Sequence, residues 1–149
     1  MSITMCSCRG RVTDSMMEIQ GTSSRWTTTS AARWPRPGAS SPVVWEGRVF
    51  LTGADERVRE IYCFDAADGK VLWRRAAKQP ADVPKVSEEY GHAASTGATD
   101  GKLFFAIFST GDLVAADMQG AIAWTRAFGT PKSTYGYASS LIAYKHLFV

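Results

Sequence analysis

Few residues of this 149-residue chain are of a type and spacing that could do chemistry. Cys6-Ser7-Cys8 sets two thiols close together, a weak metal signal. No second Cys/His cluster accompanies it to complete the four ligands of a structural zinc site. Cys63 lies in an apolar run and reads as a small buried residue. Three cysteines at these spacings give no disulfide framework. Asp65 and Asp117 could serve as general bases, but each opens a short turn, where a carboxylate accepts hydrogen bonds from the turn amides. His92 stands in Tyr90-Gly91-His92, and Tyr135-Gly136-Tyr137 is its counterpart downstream. Tyr90, His92, Tyr135 and Tyr137 either line a common surface or serve as loop-to-strand packing positions. A lone histidine is not a metal site, and His146 is isolated near the last residue. Ser/His/Asp triads, phosphate-cradling glycine loops and zinc-ligand spacings are absent. The residues therefore assign no catalytic group, no metal ligand and no cofactor.

The elements that would hold these side chains fall into two textures. Residues 1–40 contain 13 Ser and Thr and follow neither a strand nor a helix period. They are expected to be poorly ordered, with Trp26 or Trp34 as the remnant of an earlier repeat. From Ser41 the chain changes to short apolar strands separated by turn signals, an all-β pattern. Val43-Val44-Trp45 and Arg48 to Thr52 flank Glu46-Gly47, a hairpin in which Gly47 supplies positive φ. Glu60 to Phe64, the turn Asp65 to Gly69 and Val71-Leu72-Trp73 follow. The order then recurs: Ser95 to Thr99, the turn Asp100-Gly101, Lys102 to Ala106, Asp112 to Ala116, the turn Asp117 to Gly120, and Ile122-Ala123-Trp124. A third copy begins in 139–149.

Recurrence at a fixed period decides the fold before local propensity does. Gly47-Arg48-Val49-Phe50 aligns with Gly101-Lys102-Leu103-Phe104. Gly69-x-x-x-Trp73 aligns with Gly120-x-x-x-Trp124, and Tyr90 to Ser95 aligns with Tyr135 to Ser140. About 50 residues with four strands per unit fits the blades of a β-propeller. The chain is thus predicted to be an all-β, partial propeller of four-stranded antiparallel blades. Blades are expected at about 41–75 and 93–127, with a partial blade at 139–149. A ring of four to eight blades cannot close with these units, so the chain is expected to be a piece of a longer protein and residues 1–40 a misassigned start. Asp65, Gly69, Trp73, Asp117, Gly120 and Trp124 then form a blade-docking framework. Burying one Trp removes roughly 200 Å² from water, at most about 5 kcal/mol per seam.

Charge narrows the partners. The net charge is +3, and residues 41–149 carry twelve basic and twelve acidic side chains. No basic stripe with interleaved aromatics marks a nucleic-acid surface. The apolar runs are too short to span a bilayer, and Met1 to Gly10 has no signal-peptide apolar stretch. Ala76 to Glu89, with Pro80 and Pro84, is the longest insertion between units. It is either a partner-binding loop or a solvated connector.

Tyr62 to Trp73 and Leu113 to Trp124 resemble the pyrroloquinoline-quinone (PQQ)-type propeller repeat: a small or apolar residue, Asp, a short turn, Gly, three residues and Trp. Cys63, Asp65, Gly69 and Trp73 match in one copy. Ala115, Asp117, Gly120 and Trp124 match in the next. The resemblance covers 40–149 and implies a quinoprotein-like repeat. That family includes scaffold lipoproteins of outer-membrane barrel assembly and quinone-dependent dehydrogenases. It therefore implies a non-enzymatic protein-binding module outside the cytoplasm, whose partners are an unidentified protein, further blades or a second copy. The alternative is part of a PQQ-dependent dehydrogenase, with PQQ and Ca²⁺ as cofactors. The adjacent cysteines found in alcohol-oxidising members of that class are missing.

Overall fold

The computed structural model describes residues 36–77, 91–133, 135–144 and 147–148. Among them there is no helix. Strands β1 (Val43–Trp45), β2 (Arg48–Ala54), β3 (Arg59–Asp65) and β4 (Val71–Ala76) form one antiparallel sheet in the order β1-β2-β3-β4. Strands β5 (Ala98–Thr99), β6 (Leu103–Ile107), β7 (Asp112–Asp117) and β8 (Ile122–Ala127) form a second sheet of the same topology. Strands β9 (Ala143–Tyr144) and β10 (Leu147–Phe148) pair as a hairpin. Each four-stranded meander is a propeller blade, as the repeat predicts.

Why these strands stop where they do follows from the turns. Glu46 and Gly47 both have positive φ, 43° and 74°. That is the type I′ pattern, whose twist matches the flanking strands. In the second blade the glycine stands first: Gly101 has φ 88°. Asp100 Oδ1 accepts from the amides of Lys102 and Leu103, both at 2.8 Å. The two hairpins therefore have the same two-residue loop with the glycine on opposite sides of it.

This shift corrects the repeat alignment by one residue. Val49 pairs with Phe64, and Phe104 pairs with Ala116, so Val49 and Phe104 are the equivalent positions. Phe50 is then equivalent to Phe105 rather than Phe104. Side chains alternate between faces along a strand, so Phe50 and Phe104 point from their own blades toward each other. Their rings stack across the seam, 4.8 Å apart at 12°. Aligning the glycines, as the sequence invites, would have put both rings on the same side.

Both blades carry an irregularity at one place. Cys63 pairs with Trp73 and Phe64 with Val71, leaving Leu72 bulged; Ala115 pairs with Trp124 and Ala116 with Ile122, leaving Ala123 bulged. A bulge re-aims the side chain beside it. Here it brings Trp73 onto the face shared by Phe50 and Cys63. These residues interlock with Phe104, Ala106, Phe108, Val114, Ala116 and Met118 in one core between the blades. The opposite faces are apolar too: Leu51 and Phe64, and Phe105 and Ala115, are all buried. A sheet buried on both faces cannot satisfy itself alone, and stacking neighbours supplies what it needs.

Candidate functional site

The turns on one side of the blades are built as a lock. Asp65 Oδ1 accepts from the amide of Ala67 at 2.7 Å, and Asp117 Oδ1 accepts from the amides of Gln119 and Ala121 at 2.9 and 2.8 Å. Gly69 and Gly120 take φ of 72° and 86°, the left-handed region that suits glycine. Trp73 lies flat on Gly120: a Cβ there would stand 2.6 Å from the indole. Its Nε1 donates to the Met118 carbonyl at 2.9 Å. Trp73 is 8% exposed. Trp124 is half-buried and packs on Phe105 of its own blade, with ring centroids 5.9 Å apart. It shares the face of Phe105 and Ala115, away from the seam. A second cross-blade lid was not legible in the sequence. Trp45 covers Gly101, where a Cβ would come within 2.9 Å of its ring. Trp45 has no aromatic counterpart in the second repeat, so periodicity could not single it out.

The opposite side of the blades carries the β2–β3 and β6–β7 loops and the connectors between blades. All the buried polar and charged side chains among the described residues lie on this half: Ser40, Thr52, Arg59, Glu60, His92, Ser95, Ser109 and Thr110. Successive connectors are tied together. The Ala39 amide donates to the Ala93 carbonyl at 2.9 Å. The Ser41 amide donates to Thr96 Oγ1 at 2.9 Å, and the Leu141 amide to the Thr96 carbonyl at 2.9 Å. The Ser95 hydroxyl donates to the Tyr137 carbonyl at 2.9 Å.

His92 and Tyr137, paired by the sequence repeat, meet at Ser109. The Ser109 amide donates to the His92 carbonyl at 3.1 Å, and the Tyr137 amide donates to the Ser109 carbonyl at 3.0 Å. His92 Nδ1 stands 3.3 Å from the Ser109 hydroxyl. His92 is buried rather than on a surface, the packing alternative of the two readings. Burial, and then the nearby Arg59 charge, hold its pKa below the usual histidine range. Tyr137 is half-buried and Tyr135 is 52% exposed. Exposed Phe128 emerges from the same connector. Tyr90, His146, Cys6, Cys8, Trp26 and Trp34 lie outside the described residues.

Beside this cluster runs a charged chain that the sequence did not announce. Arg36 pairs with Asp55, and its Nε lies 3.2 Å from Glu60 Oε2. The Tyr62 hydroxyl donates to Glu60 Oε2 at 2.6 Å. Burial and that carboxylate together push the Tyr62 pKa far up. Burial, the largest single influence on Asp55, pushes its pKa up, but the bonds from the Arg57 and Val58 amides and the Arg36 charge together hold it below the usual carboxylate range. Cys63 is a free thiol inside the seam, its pKa raised to about 11 by burial. It is inert there, since the thiolate is the reactive form. No group of three or more His, Cys, Asp or Glu among the described residues is placed to hold a metal ion.

Two locks on one side and a hydrogen-bonded loop field on the other describe a rigid platform with one elaborated face. A family model described as outer membrane protein assembly factor BamB matches residues 15–140. Among solved structures, BamB from Moraxella catarrhalis matches with a TM-score of 0.57 at 15% sequence identity, covering 78% of this chain. This chain spans 35% of the length of that protein. No curated protein matches it significantly. The structural likeness is one of fold, and the family match takes in most of the chain: it belongs to the PQQ-like β-propeller repeat family of the outer membrane protein assembly factor BamB.

Proposed function

We propose that this chain is a non-enzymatic, protein-binding scaffold module of a longer propeller protein, working outside the cytoplasm in outer-membrane assembly. The connector side is its docking face. One observation carries this reading. That side has exposed aromatic residues, Phe128 and Tyr135 at 57% and 52%, above a buried and mutually bonded polar layer. Large aromatic side chains on a preorganised base are the usual anchors of protein interfaces. The other side consists of short turns closed by Asp, Gly and Trp, the arrangement that holds blades together. The name of the family model supports the assembly role and the location.

The test is docking of the full chain to purified outer-membrane assembly proteins. Phe128→Asp and Tyr135→Asp should each weaken docking at least tenfold. Val71→Asp and Leu72→Asp, at exposed positions of the outer strand β4, should leave it unchanged. Equal losses from both pairs would refute the assignment of the face. Saturable binding of PQQ with Ca²⁺, accompanied by alcohol oxidation, would replace the scaffold reading by the dehydrogenase one.

A further inference from the structure

Arg59 breaks the repeat. It stands six residues before Asp65, as Gly111 stands six before Asp117. Where the second blade has a glycine at φ 82°, the first has a long cation laid across the seam. The side chain is 0% exposed. Its Nε donates to Thr110 Oγ1 at 3.0 Å, and the Thr110 hydroxyl donates in turn to Asp112 Oδ2 at 2.5 Å. Asp112 Oδ2 lies 3.8 Å from Nε. The terminal nitrogens Nη1 and Nη2 are both buried and meet no hydrogen-bond acceptor among the described residues.

A guanidinium has five N–H donors in a rigid fork, and among the described residues only the Nε one meets an acceptor. Buried donors without acceptors are costly, more so on a charged group. The charge itself has company, because Asp112 and Asp55 both act on it. The deficit is therefore one of acceptors, side by side and in plane. A carboxylate meets both Nη groups at once. A phosphate dianion would be repelled by the two aspartates already present, whereas a monoanion adds the least charge that still brings two acceptor oxygens.

We propose that Arg59 anchors a carboxylate-binding site at the seam between the two blades, filled by an Asp or Glu side chain of the protein that docks on the connector face. The source of the carboxylate rests on the scaffold reading; the site rests on Arg59. Thr110 and Asp112 orient the guanidinium from behind, leaving its outer fork for the ligand. The guanidinium is fully buried in the unbound protein, so a carboxylate, free or on a docking protein, has to open the seam to reach it.

The test follows the guanidinium NMR signals of the full chain, labelled with ¹⁵N-arginine, during titration with N-acetyl-aspartate methylamide. The Arg59 signals are assigned by their loss in Arg59→Lys. They should shift saturably with the aspartate probe and stay put with the asparagine analogue. In thermal melts the aspartate probe should raise the Tm of the wild type and leave that of Arg59→Met unchanged. If those variants fail to fold, Thr110→Val serves both purposes: it removes the hydroxyl that accepts from Nε and donates to Asp112, should shift the Arg59 Nε signal most, and should weaken the probe severalfold. Signals that ignore the probe, or respond equally to the asparagine analogue, would overturn the site. A stronger response to inorganic phosphate would overturn its carboxylate character. Failure here leaves the docking face standing, since that is judged by Phe128→Asp and Tyr135→Asp.

Discussion

Single residues separate the structural part of the repeat from its active part. Gly69 and Gly120 occupy equivalent turns, but only Gly120 lies under an indole; a Cβ at Gly69 would meet nothing within 4 Å. Gly69→Ala should cost only the strain of positive φ, about 1 kcal/mol. Gly120→Ala carries that strain and also displaces Trp73. It should cost at least about 1 kcal/mol more in urea melts, and Trp73→Ala should cost about 3–5 kcal/mol. Equal costs for the two glycines would mean that Trp73 does not bear on Gly120. His92 gives a pH signature. Its folded pKa lies below the unfolded value of about 6.5, so the unfolded chain binds more protons below that pH. Its contribution is whole above pH 6.5 and is lost as pH falls. Urea midpoints at pH 7.5 and 5.5 should differ less in His92→Asn than in the wild type. Asp, Gly and Trp were legible because they recur. Arg59 was not, because a residue that occurs in one copy only leaves no periodic trace and its burial comes entirely from tertiary packing.

At the scale of elements, strand order and blade topology could be read from alternation and turn chemistry, but register could not. Both hairpins advertise a glycine, and aligning the glycines is natural. Yet Glu46-Gly47 and Gly101-Lys102 turn by different dihedral patterns, so their glycines are not equivalent in space. A one-residue slip exchanges the faces of a strand, and here it decides that Phe50 stacks on Phe104. The bulges at Leu72 and Ala123 were equally hidden, since a bulge is a property of pairing rather than of composition. The turn geometry makes a prediction. Glu46 holds φ 43°, a conformation that asparagine adopts far more readily. Glu46→Asn should raise stability by about 0.5–1 kcal/mol, seen as a higher urea midpoint with an unchanged slope. Gly101→Ala should lower it, because Trp45 leaves no room for a methyl group. A neutral Gly101→Ala would show that the Trp45 lid is not formed.

Across the whole molecule, the described part of the chain divides its labour between two sides of the blades. The Trp-covered turns lie on one side, and the buried polar side chains lie with the connectors on the other. Sequence reasoning singled out the Asp, Gly and Trp of the turns and, on the connector side, His92 and Tyr137, but not the polar layer that joins them. That layer is assembled from Ser, Thr and Arg residues far apart in the chain. The most direct test of the docking face is site-specific photo-cross-linking of the full chain with outer-membrane assembly proteins. A benzoyl-phenylalanine would replace Phe128 or Tyr135 on the connector side, and Ala67 or Gln119 on the turn side. Adducts to one protein from positions 128 and 135, with none from 67 and 119, are the predicted result. Adducts of equal yield from both sides, or from the turn side alone, would contradict it.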